Sequence, residues 1–180
     1  SQVVAAEALQ CPTMLYNGFG GHRIEGIGDK HVPFIHNVLN TDYAIGISDE
    51  ATDSLNLLYN TEAGKSFLSK RLGLDNATLE GITNLGLSSQ ANVLGAIKYA
   101  KYNQLGSDDV VMTVATSGSE MYGSEREKAL KNRFNGNFDE LAAAEVYGRY
   151  LLGAATDNMI EANRQDRQRM FNLGYYTWVE

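Results

Sequence analysis

Val3-Val4-Ala5-Ala6, Tyr43-Ala44-Ile45-Gly46-Ile47 and Val110-Val111-Met112-Thr113-Val114-Ala115 are three short, nearly continuous apolar runs. Runs of this length, bounded by polar or turn-forming residues, are how strands buried on both faces read in a sequence. The segments between them have helical spacing. Val32, Ile35, Val38 and Leu39 recur at that spacing after a glycine-rich stretch. The run 49–72 reads as one or two helices, punctuated at Asn60-Thr61 and closed by Gly73. Ser88-Ser89 introduces a helix over 91–105, with Gly106 as its stop. Strands alternating with helices are expected to form a parallel sheet. From Glu125 the spacing predicts helices over 125–134, 138–152 and 156–173. The expected fold is therefore α/β: a parallel sheet flanked by helices in three layers, with an additional C-terminal helical segment. A strand that begins at Val3 reads as an α/β unit entered midway, so the chain is expected to be a fragment or one piece of a divided enzyme.

Composition narrows the function classes. The 180 residues carry 43% apolar and 21% charged side chains, ordinary values for a globular chain. No stretch is apolar for long enough to predict a transmembrane helix, and the first residues lack a basic region before an apolar run, so neither membrane nor signal peptide is expected. The formal net charge of −7 supplies no electrostatic footprint for phosphate backbones, so nucleic acid is not expected as a partner. The single cysteine, Cys11, cannot form an internal disulfide and fits a reducing, cytoplasmic setting.

Several residues invite a chemical reading. Gly18-Phe19-Gly20-Gly21 and Gly26-Ile27-Gly28 lack the third glycine of a dinucleotide fingerprint. His22, His31 and His36 are too irregularly spaced to share one helical face, so no metal site is expected. Cys11 has no histidine partner in sequence and reads as an inert thiol. Ser117-Gly118-Ser119 directly follows the third apolar run, which would put it at the C-terminal edge of a parallel sheet, where α/β proteins place ligands.

Taken in order, these motifs carry a resemblance. Val3-Val4-Ala5-Ala6-Glu7-Ala8, His22-Arg23-Ile24-Glu25-Gly26-Ile27-Gly28, Val32-Pro33, Ser48-Asp49-Glu50-Ala51, Gly86-Leu87-Ser88-Ser89-Gln90-Ala91-Asn92-Val93 and Thr116-Ser117-Gly118 follow one another at plausible spacing. The series resembles the C-terminal half of the cysteine synthase and cystathionine β-synthase family, pyridoxal-phosphate enzymes of fold type II, over residues 3–124. The resemblance implies an α/β domain at 1–124 and a helical extension at 125–180. It implies that Ser117, with Gly118, faces the pyridine nitrogen of pyridoxal 5'-phosphate, and that Ser88 and Ser89 form a turn beside the cofactor. Gly26, Ile27 and Gly28 match the loop that closes on the substrate side. The implied reaction is β-elimination and β-replacement on an amino-acid substrate, as in a lyase or transferase of amino-acid metabolism.

Departures from the family pattern are informative. Gln90 replaces the family's glycine, and Ser119-Glu120-Met121-Tyr122 has an extra residue and no arginine. None of Lys30, Lys65, Lys70, Lys98, Lys101, Lys128 or Lys131 sits in a context resembling the Schiff-base lysine. In the family that lysine, the substrate loop and the glycine-rich phosphate loop lie upstream of the matched part. The resemblance thus implies no catalytic residue on this chain, inactivity alone, a partner in a missing N-terminal half, and a homodimer. The residues by themselves leave two alternatives open. One is a non-catalytic α/β small-ligand-binding or regulatory module. The other is a subunit assembled through Tyr175, Tyr176 and Trp178.

Overall fold

Both of the first two apolar runs become strands. The computed structural model describes residues 1–180. In chain order it contains β1 (Val4–Ala8), α1 (Thr13–Tyr16), β2 (Tyr43–Ile47), α2 (Asp49–Asn60), α3 (Glu62–Leu72), α4 (Asn76–Thr83) and α5 (Leu87–Tyr102). There follow α6 (Gly123–Phe134), α7 (Glu140–Val146), which runs on as π-helix over Tyr147–Leu152, then β3 (Met159–Glu161) and α8 (Arg164–Trp178). The chain divides into two compact units, one formed by Ser1–Asp49 with Thr156–Glu180, the other by Glu50–Ala155.

The first unit holds the sheet. β2 is its central strand, pairing in parallel with β1 (Ala5 opposite Ala44) and antiparallel with β3 (Ala44 opposite Ile160). β2 is buried along its whole length, as its uninterrupted apolar character requires. Ala5, Ala44 and Ile160 pack with Val32, Val38, Met170 and Leu173, so α8 covers this part of the sheet. α8 begins sharply because Asn163 and Asp166 form a reciprocal capping box.

Three sequence expectations are corrected. Val110–Ala115 is not a strand; the third strand is β3, and the sheet is small and mixed rather than all-parallel. A strand exists only through its neighbour's backbone groups, and the second unit contains no other strand to pair with this run. Val110, Met112 and Val114 consequently lie 84%, 90% and 65% exposed. The helix expected over 156–173 starts only at Arg164, because the backbone around β3 is committed to β2 and the amide of Ala162 donates to Asp42 O at 2.7 Å. Finally, the spacing of Val32, Ile35, Val38 and Leu39 yields just a 3-10 turn at Val38–Asn40; Val32 and Val38 anchor the core singly while Ile35 is exposed.

The second unit is helical. The expected break at Asn60-Thr61 is the junction of α2 and α3, where the Thr61 hydroxyl accepts from the Gly64 amide at 3.1 Å. Gly64 is there because the two helices approach too closely for a side chain: a Cβ would stand 2.0 Å from the Leu58 carbonyl oxygen. α3 closes on Gly73 in the left-handed conformation. Phe67 and Tyr147 pack at 5.6 Å between ring centres, joining α3 to the α7 segment. No helix of the chain is long and apolar enough to cross a membrane.

Candidate functional site

In the second unit the start of α5 organises the segment Thr116–Ser119. Gly86 is the N-cap of α5 and makes no side-chain cap, so Ser88 and Ser89 lie inside the first turn rather than capping it. Their hydroxyls face Thr116 instead: Ser88 Oγ lies 3.0 Å from Thr116 Oγ1, and the Thr116 amide donates to Ser89 Oγ at 3.1 Å. The Gly86 amide donates to the Ser117 carbonyl at 2.9 Å. Asn92 Nδ2 holds the Val114 carbonyl at 2.9 Å one turn further along. One helix terminus thus anchors an irregular loop through backbone and hydroxyl groups that would otherwise be unsatisfied.

Ser119 is fixed from other directions. Its hydroxyl lies against the Thr83 carbonyl and 2.9 Å from Asn60 Oδ1, and its carbonyl accepts from Arg126 at 2.8 Å. Between these held neighbours the hydroxyl of Ser117 is half-buried and has no hydrogen-bond partner. Ser88, Ser89, Ser117 and Gly118 are therefore brought together as one arrangement. Ser117 does not follow a strand, however, since the run leading into it is unpaired.

Gly26, Ile27 and Gly28 belong to the first unit. Gly26 and Gly28 have φ of +86° and +85°, values that favour glycine strongly. A Cβ on Gly28 would also stand 2.9 Å from the Cβ of Ala8. His22 Nε2 lies 2.7 Å from the Gly28 carbonyl and pins the loop. The loop lines a cavity of about 500 Å³ together with Glu7, Asp29, His31 and His36. Glu7 is buried, its two oxygens accepting from the Met14 and Leu15 amides at 3.1 and 2.7 Å. Burial nonetheless pushes its carboxyl above the ordinary 4.5, and burial pushes His36 below 6.5. His36 Nε2 lies 2.8 Å from Thr41 Oγ1.

A charge cluster of the second unit surrounds Glu50, which accepts from Tyr150 at 2.7 Å and from Arg149 and Arg133 at 3.0 and 3.3 Å. The Tyr150 hydrogen bond and both arginines hold the Glu50 carboxyl below 4.5, while burial and Glu50 push the Tyr150 phenol up to about 12. Sequence reasoning missed Glu7, Asn60 and Tyr150. Glu7 had a signal, an acid inside an apolar strand run; the meetings of Asn60 with Ser119 and of Tyr150 with Glu50 arise only through tertiary packing.

No protein-family model, no characterised protein and no solved structure matches the chain.

Proposed function

We propose that this chain supplies the ring-facing and substrate-facing residues of a pyridoxal-phosphate enzyme of β-elimination and β-replacement, with the Schiff-base lysine and phosphate loop carried by other polypeptide. Bound pyridoxal phosphate would act as an electron sink for the substrate's α-carbon. The observation that carries the reading is the hydroxyl of Ser117: it is free and half-buried while the hydroxyls of Ser88 and Ser119 and the amide of Thr116 are all engaged. A free hydroxyl next to Gly118, beside which the Glu120 carboxylate lies, can donate to or accept from a pyridine ring held there by other polypeptide. Being neutral, it hydrogen-bonds that nitrogen without holding it protonated, which suits elimination better than transamination. Gly86 and Thr116 position Ser117 from behind, and the Gly26–Gly28 backbone offers a close surface for substrate atoms.

The exposed run Val110–Ala115 supports the need for another polypeptide. It leads directly into Thr116–Ser117, has strand-forming composition, and leaves a row of apolar side chains in water. An extended segment added alongside it would satisfy its backbone and cover that row.

Incubating the 180-residue chain with pyridoxal phosphate, reducing with borohydride and mapping pyridoxyl groups by peptide mass analysis tests the division of labour. The expected result is background labelling spread over surface lysines, as in the denatured chain. Selective, stoichiometric labelling of one lysine would overturn the claim that the Schiff-base lysine lies elsewhere.

A further inference from the structure

The cavity beside the Gly26–Gly28 loop has a one-sided chemistry. It is about 500 Å³, large enough for a small organic ligand. Its ionisable lining consists of Glu7, Asp29, His31 and His36, with no lysine or arginine among the lining residues. Glu7 accepts the Met14 amide on one oxygen and the Leu15 amide on the other, with the Thr13 amide also facing the carboxyl; a carboxylate's four lone-pair sites leave acceptor capacity beyond these. Asp29 Oδ1 takes the His31 amide at 3.0 Å, leaving Oδ2 unused. The His31 ring makes an edge contact with Trp178 at 5.9 Å and no hydrogen bond, and His36 has one ring nitrogen to spare. Arg169, whose charge acts on Glu7, is committed to the Met14 carbonyl and to Asn17 Oδ1.

The lining thus presents acceptors and negative charge, with no cationic donor to receive an anion. A carboxylate or phosphate entering it would meet two carboxylates. An ammonium group would meet two carboxylates and two acceptor-capable imidazoles. We infer that this cavity recognises an ammonium group, so that the substrate or incoming nucleophile meeting the Gly26–Gly28 loop carries a second, basic amine, as in a diamino acid or a diamine. The assignment of that ligand as substrate rests on the function proposed above; the recognition chemistry does not.

The test titrates the isotopically labelled chain with 1,4-diaminobutane and, as an anionic molecule of like length, with succinate, following backbone amide resonances. Diaminobutane is expected to move Gly28, Asp29 and His31 saturably, and succinate to leave them in place. Asp29→Asn, at an exposed and screened carboxylate, should weaken the diamine roughly threefold. Glu7→Gln, at a buried one, should weaken it about tenfold. Absence of saturable shifts, equal shifts with succinate, or unchanged affinity in Asp29→Asn would overturn the inference. Neither cofactor nor Ser117 enters this measurement, so its failure leaves the cofactor reading standing, and failure of that reading leaves an amine-binding cavity.

Discussion

Replacing Gly86 by alanine places a Cβ 2.3 Å from the carbonyl oxygen of Ser117 and 3.0 Å from a ring carbon of Tyr122. The backbone at Gly86, φ −72° and ψ 177°, is one that alanine adopts freely, so the cost comes from the overlap and not from strain in the residue itself. The oxygen belongs to backbone and cannot rotate away as a side chain would. The loop has to retreat, which breaks the 2.9 Å hydrogen bond from Gly86 to Ser117. Overpacking of this kind costs about 1–3 kcal/mol, and a lost backbone hydrogen bond about 0.5–1.5 kcal/mol. Gly86→Ala should therefore destabilise the chain by about 2–4 kcal/mol, read from urea unfolding as a lower midpoint with an unchanged slope. Gly81→Ala is the control: it lies in α4 with no atom within 4 Å of the new Cβ, so it should gain up to about 1 kcal/mol of helix propensity. A Gly86→Ala protein within about 0.5 kcal/mol of the parent, or one in which the Ser117 amide resonance has not moved, would refute the anchoring of this loop by the start of α5.

Glu7 is raised above 4.5 in the fold, so the stability it contributes is full below that pH and falls as pH rises through its folded value. Glu7→Gln removes this loss, and its stability deficit against the parent should shrink as pH rises above 4.5; a deficit that grows would mean the amide hydrogen bonds outweigh burial. Glu50 is held below 4.5, so its contribution is present above that pH and is lost on acidification. In Tyr150→Phe the Glu50 carboxyl should titrate closer to 4.5 by carbon-detected NMR, at a cost of about 1 kcal/mol near neutrality, discounted because this carboxylate is partly exposed. Met112→Glu should leave urea stability of the isolated chain within about 0.5 kcal/mol yet abolish co-purification with the lysine-bearing polypeptide; a destabilised variant would show that Met112 packs within this chain.

The legible parts of the fold are those decided locally. β1 and β2 announce themselves as apolar runs, and the α2–α3 junction follows from a threonine able to cap and a glycine able to approach. Val110–Ala115 carries the same local signature as β2, but a strand is a property of two segments, and composition records only one of them. β3 was hidden for the converse reason: Met159-Ile160-Glu161 is three residues long, too short to break a helical pattern on paper, and owes its state to β2. At the site, the order of serines and glycines in sequence pointed to Ser88, Ser89 and Ser117. The contacts of Ser88 and Ser89 with Thr116, and the supporting roles of Gly86 and Asn60, arise from the tertiary structure because these partners are distant along the chain.

The most direct test of the central claim is the protonation state of a pyridine nitrogen. Ring-nitrogen-labelled pyridoxal phosphate is loaded onto the chain co-expressed with the lysine-bearing polypeptide of the proposal, and the nitrogen resonance is compared between parent and Ser117→Asp. A neutral hydroxyl facing the ring requires an unprotonated nitrogen in the parent and a protonated one in Ser117→Asp. A nitrogen indifferent to that substitution, or an assembled protein that retains no cofactor, would contradict the account.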